Sequence, residues 1–274
     1  MNYYTSTSTA PKQQRHLPCQ VFSDNNIPYV VWFEDALHYH GVPTVVFDLF
    51  ILVPDIDIDV AADCLVKSGW IVDTERPHRI GNAIVDLPQR PVISPDRHTR
   101  TVLLPAADWK FHLSTDTVLE KVPLEDSAKT VPYPPLAALL DSLIESWLDC
   151  PAEDSGLLIH LACQYGYLYQ YVPAVKERSF AEKMRYEHRQ FHNDVLSEMK
   201  AGTLPFRKHE RAIRDALVRG EYEITECSAP KDNADLFDVG KEERLLARKK
   251  AIQEKLRMID PAELLDEERA FLES

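Results

Sequence analysis

The sequence predicts an α/β protein: an N-terminal mixed sheet with flanking helices, followed by a helical C-terminal domain. Three observations carry this. Apolar runs of strand length, such as VVFDLFILV over 45–53 and RTVLL over 100–104, fall within the first 130 residues. Prolines 123, 132, 134 and 135 then punctuate the chain. Beyond them the apolar residues recur at helical spacing, as over 136–148 and 157–172.

Each element has a local reason. After Pro28, YVVW reads as a short strand leading into a helix that ends near residue 40. Residues 45–53 are apolar on both alternating faces except for Asp48, as expected of a strand buried on both sides. Pro54 ends it. Residues 57–68 read as a helix whose first-turn acids suit its dipole, and Gly69 closes it before WIVD resumes as strand. Prolines 88, 91, 95 and 105 break the region 79–113 into short strands. In the second half, helices are expected over 136–148, 157–172, 180–199, 208–219, 241–258 and 262–272. The resulting organisation is an unstructured N-terminus over 1–18, an α/β domain over 19–130 and a helical domain over 131–274.

Composition narrows the function classes. The hydrophobic fraction of 45% suits a globular core. The five cysteines, Cys19, Cys64, Cys150, Cys163 and Cys227, are scattered and contain no CxxC pair. That argues against a zinc or disulfide framework and for a reducing compartment. The polar N-terminus does not read as a secretory signal, and no apolar run approaches the ~18 residues of a membrane span. A soluble, cytoplasmic protein is expected. The net charge is −13, with −11 in residues 1–175 and −2 in residues 176–274. Such acidity opposes unspecific polyanion binding. Two segments are nonetheless locally basic: 176–219 holds 11 bases against 7 acids, and 241–257 holds 7 against 3.

Chemistry concentrates in WFEDALHYHGVPTVVFDLFILV, residues 32–53. It combines a helix, a Gly-Val-Pro corner and a strand bearing one acid. This segment resembles the signature of the minimal nucleotidyltransferase superfamily, with Ala36, Gly41, Val42, Pro43, Asp48 and Val53 on matching positions without a gap. The resemblance spans roughly residues 28–72 and implies a nucleotidyltransferase-like mixed sheet. The departures fall on functional places. The family's glycine turn, which admits a triphosphate to backbone amides, is Phe33-Glu34 here. The second metal-holding acid of the strand is Phe50, and RTVLL supplies no third. One carboxylate makes a poor cage for two hard cations. A metal and a cofactor are therefore not expected.

Glu34, Asp35 and Asp48 are expected to gather in one crevice, where unpaired carboxylates repel and one pKa rises. A guanidinium relieves this best, since its planar fork pairs with carboxylates. Equally, Glu34 and Asp35 serve as helix-start acids and Asp48 pairs with an internal arginine such as Arg79. In size, soluble character, acidic crevice and basic helices the chain also resembles the fungal arginine-containing cyclodipeptide synthases. That resemblance implies a transferase of secondary metabolism that joins arginine from aminoacyl-tRNA to a second aminoacyl-tRNA amino acid, giving a diketopiperazine without metal or ATP. Glu34, Asp35 and Asp48 are then the catalytic acids. Phe33, His40, Phe50, Tyr165 and Tyr169 contact the amino-acid substrate. Lys176, Lys183, Arg185 and Arg189, interleaved with Phe180, Tyr186 and Phe191, contact RNA together with Arg248, Lys249 and Lys250. A divergent metal-dependent nucleotidyltransferase and a non-catalytic binding module on a degenerate fold are the alternatives.

Other features read as structural. His38 and His40 face different sides of a helix. Tyr165, Tyr167, Tyr169 and Tyr171 spread around one. His160 and Cys163, at i and i+3, have nucleophile-and-base spacing, although a buried thiol in an apolar helix is the commoner case.

Overall fold

The computed structural model describes residues 15–123, 129–151 and 153–229. Helices α1 (Leu17–Asp24), α2 (Phe33–Tyr39) and α3 (Ile58–Lys67) flank strands β1 (Val30–Trp32), β2 (Leu49–Val53) and β3 (Ile71–Val72). Strands β4 (Arg79–Ile80), β5 (Ala83–Ile84), β6 (Arg90–Ile93), β7 (Arg100–Pro105), β8 (Glu120–Pro123) and β9 (Thr130–Tyr133) follow. The rest is helical: α4 (Leu136–Asp149), α5 (Ser155–Tyr171), α6 (Arg189–Leu196) and α7 (Leu204–Val218). This is the mixed α/β architecture expected, a five-stranded sheet with helices and then a mostly helical region.

The sheet has strand order β1-β2-β7-β6-β3. Only β2 and β7 run parallel, with Leu49 opposite Thr101 and Phe50 opposite Val102. Every residue of β2 and β7 is buried, which explains the apolar runs Leu49–Val53 and Val102–Leu104. The parallel crossover from β2 to β7 takes in α3, β3 and β6. The apolar face of α3, carrying Ile58, Ala61 and Leu65, is buried.

In the helical region α4 and α5 pack together, and an aromatic cluster ties them to α6 and α7. Trp147 and Phe191 each lie with ring centroids 5.4 Å from Tyr165, and Phe206 sits 5.3 Å from Phe191. Asp154 caps α5 by accepting from the Leu157 amide at 3.1 Å. The described residues through Cys227 fall into one unit, and a second begins at Ser228.

Three local expectations need correction. The strand expected from residue 45 starts only at Leu49, because 42–47 carries no regular structure. The stretch 1–18, expected to lack structure, contains the start of α1 and the buried Arg15. The long helix expected over 180–199 is instead two 3-10 segments, Arg178–Lys183 and Tyr186–His188, followed by α6. Tertiary hydrogen bonds explain that break. Met184 is extended, and the Arg185 amide donates to Asp141 Oδ2 at 3.0 Å. His188, fully buried, is held between Asp141 and Glu145 of α4. Burial opposes its charge, but these two acids outweigh burial and raise its pKa. The helices expected over 241–258 and 262–272 lie outside the described residues.

Candidate functional site

The site forms where the start of α2, the entry to β2 and one face of α5 meet. Phe33 opens α2 in the left-handed region, with φ 49°. This is the position for which the family resemblance implies glycine. A bulky residue pays roughly 1–2 kcal/mol for that conformation. Packing holds it there: the Phe33 ring is fully buried against Trp109 at 4.9 Å, His160 at 5.1 Å and Phe50 at 5.3 Å.

The turn places Glu34 and Asp35 on different neighbours. Asp35 is buried and paired with Arg15, which donates from Nε at 2.8 Å and from Nη2 at 2.6 Å. Burial pushes the Asp35 carboxyl up, but Arg15 and His16 outweigh it and hold it below the usual range. Arg15 also donates to the backbone carbonyls of Phe47 and Asp48, both at 2.9 Å. Asp48 enters β2 and receives Arg100 Nη1 at 2.6 Å, while Arg100 Nε donates to Asp73 at 2.7 Å. An internal arginine does pair with Asp48, but it is Arg100 and not Arg79.

Glu34 differs. Its Oε1 accepts from Gln164 Nε2 at 2.8 Å, and its Oε2 is buried without a hydrogen-bond partner. Burial, with smaller pushes from Asp35 and Asp48, raises this carboxyl to about 7 against the opposing Gln164 hydrogen bond. Gln164 Oε1 is likewise buried and unpartnered.

Glu34, Asp48 and Gln164 line a cavity of about 520 Å³ together with Phe50, His160 and Cys163. Val45, Phe47, Ile159 and Tyr167 also line it and are exposed, so the walls are apolar and aromatic near solvent. No lysine or arginine is among the described lining residues. Burial lowers the His160 pKa to about 4, so that ring is neutral at pH 7. Gly81 closes one side at φ 56°, where an added Cβ would lie 2.4 Å from His160 Nδ1. A second cavity of about 340 Å³ shares Thr44, Val45, Phe47 and Tyr167 and extends toward Tyr171.

No family profile and no curated protein matches this chain. Among solved structures it has distant likenesses. One is JHP933 from Helicobacter pylori, at 13% identity over 77% of this chain and 90% of that chain, with a TM-score of 0.31. Another is a candidate nucleotidyltransferase from H. pylori, at 14% identity over 77% of this chain and 96% of that one, also with a TM-score of 0.31. These likenesses bear on the fold alone.

The side chains here do not fit the two-cation cage of the nucleotidyltransferase signature. A guanidinium already sits on Asp48, and Phe50, two residues further along β2, is apolar and offers no oxygen ligand. Of the acids expected in one crevice, Glu34 and Asp48 line the cavity, whereas Asp35 does not and is turned to Arg15. Phe50 lines it; Phe33 lies behind it in the core. His40 is elsewhere, its Nε2 donating to the Pro134 carbonyl at 2.9 Å. Tyr165 is buried in the aromatic cluster, and the Tyr169 hydroxyl is bonded to His192 at 3.1 Å.

Among the basic positions, Lys176 and Lys183 are exposed. Lys183 stands 5.9 Å over Phe180. Arg185 lies 3.7 Å from Glu145, and Arg189 is spent on the Met184 and Glu182 carbonyls. Arg248, Lys249 and Lys250 lie outside the described residues. Sequence reading missed Arg15, Arg100, Gln164 and Gly81. Only Gly81 left a local signal, a glycine between two short strands.

Proposed function

We propose that the cavity binds a guanidinium- or ammonium-bearing substrate and that Glu34 is its anchor and proton acceptor. One observation carries this reading. Glu34 Oε2 and Gln164 Oε1 are buried acceptors without donors, in a cavity whose described lining offers no lysine or arginine. Buried acceptors call for donors, and a cation with several N–H groups supplies them. The same chemistry disfavours a triphosphate, which would meet acids and no cation.

In its specific form the reading is cyclodipeptide formation from arginyl-tRNA and a second aminoacyl-tRNA. The amine of one amino acid attacks the ester carbonyl of the other, and an amide forms as the ribose oxygen leaves. The amine proton passes to Glu34 and then to the departing oxygen. Closing the ring repeats the exchange on the second ester. Each ester is already activated, so no ATP is consumed. A carboxyl near 7 is matched to accepting and returning a proton at neutral pH. Lys176 and Lys183 are the exposed cations available for phosphate contact.

The second reading is a non-catalytic binding module, favoured by Arg100 closing off Asp48. Purified protein incubated with arginyl-tRNA and a mixture of other aminoacyl-tRNAs should release an arginine-containing cyclic dipeptide, and Glu34→Gln should abolish it. Tight binding of arginine methyl ester without any product would leave the binding module standing. Product that survives ribonuclease pretreatment of the tRNA would remove the tRNA-dependent reading.

A further inference from the structure

We propose that the cavity of about 340 Å³ beside the Glu34 site is a second subsite, which takes an apolar or aromatic group of the same cationic substrate. The substrate class is then an amphipathic cation, a guanidinium or ammonium head joined to a ring or a branched alkyl group. The proposal rests on the reading of Glu34 as a cation anchor and is independent of the tRNA-dependent step. Charge sorts the two cavities. Glu34 and Asp48 line the first. The described lining of the second holds no acid, lysine, arginine or histidine, and Val42, Pro43, Phe47, Tyr167 and Tyr171 make up most of it. Thr44, Val45, Phe47 and Tyr167 belong to both, so one molecule can occupy the two together.

The exposed wall is fixed in place. Phe47 is 71% exposed and adds little to the core. Its carbonyl nevertheless accepts from the buried Arg15 at 2.9 Å, and Asp48 beside it is bonded to Arg100. Tyr167 and Tyr171, one turn apart on α5, set their ring centroids 6.3 Å apart at 47°. Both rings are partly exposed. Apolar side chains that are clustered and open to solvent mark a binding surface, and these adjoin a site with buried acceptors in want of donors.

Helix α5 sets the spacing. Gln164, Tyr167 and Tyr171 stand at i, i+3 and i+7, the stripe of one helix face. Gln164 holds Glu34 at the cation end, whereas Tyr171 lines the second cavity and not the first. The step from Gln164 to Tyr171 covers about 10 Å of helix. The head and the apolar group of the substrate are therefore separated by a similar distance. An arginine ester of an aryl alcohol reaches across it from guanidinium to ring.

The test compares arginine methyl ester with arginine benzyl ester by calorimetric titration against the full chain. The two carry the same guanidinium and ammonium and differ only in a phenyl group. The benzyl ester should bind about tenfold more tightly or better. Tyr171→Ala and Phe47→Ala should each cut that gain at least about threefold. Both side chains are exposed, so thermal melts of the variants should match the parent. Glu34→Gln should weaken both esters together, which tests the anchor separately. Glu34-dependent binding of the methyl ester with no gain from the benzyl group, or with a gain that both variants keep, would overturn the subsite alone. Failure of both esters to bind would remove the anchor reading and the subsite with it.

Discussion

Arg100 donates to Asp48 at 2.6 Å beside the parallel β2–β7 pair and to Asp73 at 2.7 Å from the same guanidinium. A cation of the protein's own thus stands on the acid that leads into β2 and lines the cavity. Asp73 is almost wholly buried and its pKa is lowered, because Arg100 outweighs the penalty of burial. Replacing Arg100 by Met leaves a buried carboxylate unpaired, at a cost of about 3–5 kcal/mol. Urea unfolding measures this. A loss below about 1 kcal/mol, the scale of an exposed pair, would show that the pair is not structural.

Glu34 makes stability fall as pH rises. Its carboxyl is raised from 4.5 to about 7 in the folded chain, so between those values the folded state holds more protons than the unfolded state. The group therefore costs progressively more stability across that window. Glu34→Gln should flatten this part of the pH profile in thermal melts and raise Tm at pH 8. An unchanged profile would mean that Glu34 titrates as an ordinary surface acid.

Ligand binding carries the opposite sign. A cation prefers ionised Glu34, so arginine methyl ester should bind more tightly as pH rises through about 7. Glu34→Gln should remove both the affinity and its pH dependence. Calorimetric titrations at pH 5.5 and 8 decide this; equal affinity at both would dissociate binding from Glu34.

Phe33→Gly sets strain against packing. The left-handed φ of 49° becomes comfortable, a gain of about 1–2 kcal/mol. The lost ring empties a core site, a cost of about 3–5 kcal/mol. The net expectation is a loss of about 2–3 kcal/mol in chemical denaturation. A variant as stable as the parent would show that the ring contributes little.

Gly81→Ala should destabilise by about 1–3 kcal/mol, because the added Cβ would meet His160 Nδ1 at 2.4 Å. His160 lines the cavity, so the same change should also weaken arginine methyl ester binding. Wild-type melting together with wild-type affinity would place Gly81 outside the site.

Much of the fold was legible because local patterns and tertiary packing agree. The fully buried strands β2 and β7 fall on the apolar runs read as strands, and α4 and α5 keep their expected spans within two residues. The failure at 180–199 has the reverse cause. Helical spacing was present, but the hydrogen bonds of Arg185 and His188 to Asp141 of α4 overrode it. A single-chain pattern cannot register a partner more than 40 residues away.

The site divides the same way. The sequence by itself placed Glu34, Asp35 and Asp48 around one helix and strand, and marked Phe33 and Phe50 as replacements for a glycine and an acid. Only the tertiary structure decided which acids are already neutralised. Arg15 reaches Asp35 across 20 residues, Arg100 reaches Asp48 across 52, and Gln164 reaches Glu34 across 130. Charge pairing depends on distance in space, and the chain reveals that distance only once folded. Glu34 is left as the acid of the three without an arginine partner.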